Sequence, residues 1–207
     1  MPIGRLHVIT NLRESRDDPL PMIRRVLEAG APVVQVRAKG VSDRELFELT
    51  SRVVDVCAAH GAACIVNDRV DVALATGAHG AHVGADDLPV DVARAVLGDD
   101  AILGATARDA ATARAHETDG ASYLGVGPCF ATRSKAGLPD PLGLEGLRAV
   151  ADTVDVPVIA IAGVTADRVP ELLEAGAHGV AVIGAVWDAD DPPAAVERLL
   201  RALENGA

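Results

Sequence analysis

Aromatic side chains are scarce in this chain: two Phe, one Tyr and one Trp make up 2% of 207 residues, although 49% of the chain is hydrophobic. A core with so few rings must be filled by Val, Leu, Ile and Ala at short distances, which suits parallel strands covered by helices. Basic surface is also lacking. The formal net charge of -11 argues against a nucleic-acid partner or an anionic membrane surface, because both demand a basic footprint. An anionic small molecule would need locally placed cations or a metal. Cys57, Cys64 and Cys129 are odd in number and without ligand-pair spacing, so neither a disulfide framework nor a zinc site is indicated. Cys129 has no histidine near it in sequence and reads as a packing residue. No apolar run is long enough to cross a bilayer, and the opening Met1 to Thr10 lacks the pattern of a secretory leader; the expectation is a cytoplasmic protein. No linker, low-complexity tract or charge block divides the chain, so residues 1–207 are expected to form a single domain.

What is present is an alternation. Short β-prone runs stand at Leu6 to Thr10, Val33 to Arg37, Ala63 to Asp68, Gly80 to Gly84, Ala101 to Thr106, Tyr123 to Gly127, Val156 to Ala162 and Gly179 to Gly184. Segments with helical apolar spacing separate them, among them one capped by Ser42 or Asp43 that stops at Gly61, and one opening at Pro89. Eight such units predict an α/β protein with a single (β/α)8 TIM barrel. A doubly wound open sheet is the runner-up, but the first turn has no G-x-G-x-x-G phosphate loop and the eighth run is as apolar as the interior ones.

The polar residues gather where the strands end: Gln35, Arg37 and Lys39; Asn67 and Asp68; Asp86 and Asp87; Thr106 and Arg108; then Thr132, Ser134 and Lys135, with Gly163 and Gly184 after the last two strands. In a barrel these positions share one mouth. Arg37, Lys39 and Lys135 beside Asp68 and Asp87 suit a metal pyrophosphate, since Mg2+ takes one or two carboxylates and completes its shell with phosphate oxygens and water. A plain pairing of Arg37 with Asp68 is the bland alternative. His82, inside a strand, reads as a hydrogen-bonded packing residue, and none of the other histidines is assigned chemistry. Gly163 and Gly184 would let backbone amides approach a second phosphate.

Five segments in this order and spacing, Val34 to Lys39, Val66 to Asp71, His82 to Pro89, Gly125 to Pro128 and Thr132 to Lys135, resemble the thiamine phosphate synthase family, with the similarity running from Leu6 to Val186. The resemblance implies a Mg2+-dependent transferase of thiamine biosynthesis on a (β/α)8 barrel. Gln35, Arg37, Lys39, Asn67 and Lys135 would hold a pyrimidine diphosphate, Asp68 and Asp87 would bind Mg2+, and Thr106 would touch the pyrophosphate. Thr132 and Ser134, with amides near Gly163, Ile183 and Gly184, would hold a thiazole phosphate. Lys135, Arg37 and Thr106 would be the catalytic set. The partners implied are these two small molecules, with no nucleic acid and no membrane; a homo-oligomer is left open. Ala38, Ala85, Arg108, Ala162 and Gly184 depart from the family's usual glutamate, glutamine, histidine, glycine and serine. Related thiazole tautomerases, which use a histidine where Arg108 stands, supply an isomerase alternative, and a non-catalytic phosphate-ligand binder supplies a third.

Overall fold

The computed structural model of the chain describes residues 3–10, 12–13, 18–132 and 137–206, with the backbone alone at 12–13. In chain order the strands are β1 (Leu6–Ile9), β2 (Leu12–Arg13), β3 (Val33–Val36), β4 (Ala38–Lys39), β5 (Ala63–Asn67), β6 (Gly80–Val83), β7 (Ile102–Ala107), β8 (Tyr123–Val126), β9 (Val158–Ile161) and β10 (Gly179–Val182). The helices are α1 (Leu20–Glu28), α2 (Asp43–Ala59), α3 (Val70–Thr76), α4 (Val90–Leu97), α5 (Ala110–Thr118), α6 (Gly143–Ala151), α7 (Val169–Glu174), α8 (Gly184–Trp187) and α9 (Pro192–Asn205). Strand β1 pairs in parallel with both β3 and β10, which closes the ring β1-β10-β9-β8-β7-β6-β5-β3. The fold is a (β/α)8 barrel, as the alternation predicts. No helix among the described residues is long and apolar enough to cross a membrane.

Three elements differ from the sequence reading. A two-stranded parallel ribbon, β2 with β4, pairs Leu12 with Ala38 and Arg13 with Lys39; two-residue strands carry no periodicity to read. Gly184 does not end the eighth barrel strand but opens the short helix α8, because Ile183 at φ -118, ψ -85 turns the chain out of the sheet. Pro89 is the N-cap residue of α4 rather than its first helical residue. Ser42 caps α2, its side chain accepting from the Glu45 N–H while Glu45 Oε2 accepts from the Ser42 N–H at 2.8 Å. Such a reciprocal pair satisfies two donors that the first helical turn leaves over.

Two apolar layers follow from the strand period of two. One lies between strands and helices; the other fills the barrel interior with Ile9, Val33, Ala63, Ile65, Ile102, Tyr123, Ile159 and Ala181. Tyr123 is the largest side chain wholly enclosed. Its ring and the His82 imidazole fit inside because β7 and β8 carry Gly104 and Gly125: a Cβ on Gly104 would collide with both rings, and one on Gly125 would lie 2.9 Å from His82 Cε1. Cys129 is buried with its Sγ donating to the Val126 carbonyl at 3.3 Å, consistent with packing.

The end of the barrel opposite the mouth is tied by arginines. Arg94 of α4 donates to the carbonyls of Gly98 at 2.7 Å, Ala101 at 2.8 Å and Gly120 at 2.8 Å, and to Ser122 Oγ at 3.0 Å. A single guanidinium thus satisfies the turns that feed β7 and β8. Arg94→Met keeps the aliphatic stem but strands those acceptors, each costing about 1 kcal/mol or more where water cannot reach. The expected result is a loss of about 2–4 kcal/mol in urea unfolding with the fold, read by circular dichroism before denaturant is added, unchanged.

Candidate active site

At the strand C-termini two cavities open side by side. The larger, about 340 Å3, is lined by Gln35, Arg37, Lys39, Asn67, Asp68 and Asp87, over a floor that includes His7, His82 and Tyr123. The smaller, about 170 Å3, is lined by Thr132, Gly163, Val164, Gly184 and Ala185. Thr106, Ile161, Ala181 and Ile183 belong to both. Every expected site residue that lies among the described residues therefore lines one cavity or both. Ser134 and Lys135 lie outside the described residues.

The larger cavity is charged at its rim. Strand β5 ends at Asn67 because Asp68 takes φ 65, a left-handed conformation that aspartate tolerates better than most residues. The Asp68 N–H donates to the His82 carbonyl at 2.8 Å, and its Oδ2 accepts from Lys39 Nζ in a salt bridge. The bland alternative in the sequence reading is therefore replaced: Asp68 pairs with Lys39, not with Arg37. Asp87 Oδ2 accepts from the Gly84 N–H at 2.7 Å. The two carboxyl groups are near enough to perturb each other's titration. Burial is the largest influence on each and raises its pKa; at Asp68 the combined pull of Lys39, Asp87 and His82 outweighs it and the pKa falls, whereas at Asp87 the neighbouring Asp68 adds to burial and the pKa rises. Two carboxyls this close retain a proton or take a cation between them. Two hard oxygen donors suit Mg2+ with most of its shell left to phosphate and water, and no group of three or more acidic, His or Cys ligands forms among the described residues.

Under the rim lies a polar chain that sequence reasoning left out of the site. Gln35, buried on β3, hydrogen-bonds the Tyr123 hydroxyl. Tyr123 Oη is 3.0 Å from His82 Nδ1, and His82 Nε2 is 3.0 Å from Thr106 Oγ1. His7 meets the Tyr123 ring edge-on with centroids 5.0 Å apart, and its Nε2 donates to the Gly4 carbonyl at 3.0 Å. Burial first, and His82 second, push its pKa down to about 3, so it is neutral. His82 is a hydrogen-bonded packing residue, as expected, and it is also cavity floor. The signal was present in the register: Asn67 pairs with His82 and His82 with Gly104, so His82 shares the inward parity of the site residues.

The smaller cavity is lined by apolar residues such as Leu138, Ile161 and Val182 and by the loops that carry Gly163 and Gly184. Among the described residues, no backbone carbonyl accepts from the N–H groups of Gly163, Val164, Ile183 or Gly184. Val164 is 5% exposed, so its N–H is set for a ligand or water rather than bulk solvent. Four such donors around one hollow suit an anion. Arg108 lines neither cavity; its Nη2 donates to the Asp140 carbonyl at 2.8 Å.

A closed parallel barrel with a charged cavity and a second cavity sharing one wall at its strand C-termini defines a (β/α)8 barrel protein with two adjoining pockets at its mouth. Residues 6–186 match the family described as thiamine monophosphate synthase (TMP-TENI). The chain is 56% identical over 204 residues to the thiamine-phosphate synthase of Salinispora arenicola, covering 97% of this chain and 98% of the relative. It is 44% identical over 200 residues to that of Moorella thermoacetica, covering 96% and 95%. The thiamine phosphate pyrophosphorylase structure from Pyrococcus furiosus superposes with a TM-score of 0.87 at 36% identity, covering 98% of this chain and 96% of that one. The chain belongs to the thiamine monophosphate synthase family.

One departure from the family's usual residues has a visible backbone consequence. Ala162 stands at φ 75, followed by Gly163 at φ 67. A left-handed non-glycine residue costs roughly 1–2 kcal/mol, and glycine returns part of that through its larger unfolded-state entropy. Ala162→Gly is expected to stabilise the protein by about 0.5–1 kcal/mol, read as a rise in Tm of about 2 °C by calorimetry; a fall in Tm would show that the alanine is not strained.

Proposed function

We propose that this chain is a transferase that makes thiamine phosphate, moving a hydroxymethylpyrimidine group from its diphosphate to the nitrogen of a thiazole phosphate and releasing pyrophosphate. The observation that carries the reading is the common wall of the two cavities, Thr106, Ile161, Ala181 and Ile183, which would hold two bound substrates against each other. The family membership supports the same chemistry. We assign residues 1–207 to one barrel domain.

Arg37 and Lys39 would hold diphosphate oxygens in the larger cavity, with Asn67 as a neutral donor and Lys135 assigned there by sequence. Gln35 would meet the pyrimidine from below, where its bond to Tyr123 orients it. Asp68 and Asp87 would hold Mg2+, which supplies positive charge against the diphosphate. That arrangement also explains why Lys39 pairs with Asp68: the ammonium occupies the carboxylate until the anion arrives to share both. Thr132, Ser134 and the free amides around Gly163, Ile183 and Gly184 would hold the thiazole phosphate.

The bond between the pyrimidine methylene carbon and the diphosphate oxygen breaks first, its electron pair leaving with pyrophosphate. The pyrimidine ring delocalises the cation that remains. The thiazole nitrogen then donates its lone pair to form the new C–N bond, so no proton moves and no protein nucleophile is needed. Cations placed beforehand around the departing diphosphate lower the barrier because they need not reorganise as its charge develops. Thr106, on the shared wall, would donate to the departing oxygen, with His82 orienting its hydroxyl. The isomerase alternative gains no support, since its histidine position is Arg108, turned toward Asp140.

Pyrophosphate release measured with both substrates tests the reading. It is expected only when both are present with Mg2+, and chelator should abolish it. Asp68→Asn and Asp87→Asn should each lower kcat/KM by about a hundredfold or more with little change in Tm. Arg37→Ala should raise the KM for the pyrimidine diphosphate by about tenfold to a hundredfold. Full activity of both Asp variants in chelator would refute the metal assignment.

A further inference from the structure

One side chain outside both cavities joins the two segments that wall the smaller one. Arg168 ends the 3-10 turn Ala166–Arg168 that follows β9. Its Nη1 donates to the Gly163 carbonyl at 2.8 Å, and its guanidinium lies 4.2 Å from the centre of the Phe130 ring. Phe130 belongs to the segment leaving β8, and its N–H donates to the Ala162 carbonyl at 3.1 Å. The two segments have no slack: a Cβ on Gly163 would lie 2.6 Å from Phe130 Cβ and 2.7 Å from the Ala131 carbonyl oxygen. Phe130 and Gly163 thus lie in close approach, and both lead straight to cavity wall, through Thr132 on one side and Val164 on the other.

The C=O and N–H of a trans peptide point in opposite directions. Holding the Gly163 carbonyl therefore also fixes where the Val164 N–H points, and that N–H has no backbone acceptor among the described residues. The planar guanidinium can donate along its edge and stack on a ring face at the same time, which an ammonium on a flexible stem does less well.

We propose that Arg168 is a positioning residue for the phosphate of the acceptor substrate. It aligns the Gly163–Val164 peptide with the Phe130 to Thr132 segment into one preformed cradle, without itself touching the ligand. The inference rests on the reading that the smaller cavity takes the thiazole phosphate. A preformed cradle binds without first being ordered, so losing its latch costs affinity for the group it cradles.

The test compares Arg168→Gln, Arg168→Lys, Phe130→Leu and the Arg168→Gln, Phe130→Leu double variant. Titration calorimetry is run with the thiazole phosphate and with the same thiazole alcohol lacking phosphate, and the KM for the pyrimidine diphosphate is measured beside it. Arg168→Gln should weaken thiazole phosphate binding by about tenfold or more while the alcohol and the diphosphate change by less than about twofold. Arg168→Lys should recover part of the loss, and the double variant should be no worse than the poorer single one, because both substitutions break one latch. Unchanged affinity in Arg168→Gln, or equal losses for phosphate, alcohol and diphosphate together with a lower Tm, would overturn the proposal. A wild-type protein that binds the thiazole phosphate but releases no pyrophosphate would overturn the transferase reading alone, and the affinity comparison would still decide the role of Arg168.

Discussion

Closure of β1 onto both β3 and β10 is the constraint on which everything else in this protein depends. Because every barrel strand runs the same way, every strand C-terminus opens on one rim, and residues as far apart in sequence as Gln35 and Ile183 come to line a single cavity. The same closure forces alternate side chains inward, where the interior must be filled without voids. Small aliphatic residues do most of that filling. Tyr123 and His82 occupy the upper interior only because Gly104 and Gly125 vacate it.

That exchange of glycine for ring links packing to chemistry. The polar chain from Gln35 through Tyr123 and His82 to Thr106 uses side chains from four different strands, β3, β8, β6 and β7. A buried polar chain is stable when each member is satisfied, and His82 bonds Tyr123 on one side and Thr106 on the other. The floor is consequently held in one arrangement, and Thr106 is delivered to the wall between the cavities with its hydroxyl already oriented. Rim and floor differ in kind: charges lie at the rim, exposed at Lys39 and half-buried at Asp68 and Asp87, while buried polar side chains shape the pocket below.

The two cavities also present different groups to a ligand. The larger presents ionised side chains, whose pairing of Lys39 with Asp68 and of Asp68 with Asp87 shows charges already balancing one another before any ligand is bound. The smaller presents main-chain N–H groups, which carry no net charge and cannot titrate. In a chain of net charge -11, the cations among the described lining residues, Arg37 and Lys39, belong to the larger cavity.

The sequence by itself determined the barrel and most of the list of site residues. Eight apolar runs alternating with helical spacing leave little besides a barrel, and polar residues after each run had to share its mouth. It also identified Gln35, Arg37, Asn67, Asp68, Asp87 and Thr106 as neighbours, because strand order alone places strand ends together. Tertiary structure decided what each of them touches. Parallel strands buried on both faces show the same apolar residues inward and outward, so only the strand register, which puts His82 beside Asn67 and Gly104, shows that it faces the cavity. That Asp68 pairs with Lys39, and that it takes a left-handed conformation after Asn67, could not be read from residue type, because neither dihedral angles nor side-chain partners are written there. Likewise the contact of Arg168 with Phe130 and Gly163 joins two loops that adjacent strands bring side by side, at distances that only closed packing defines.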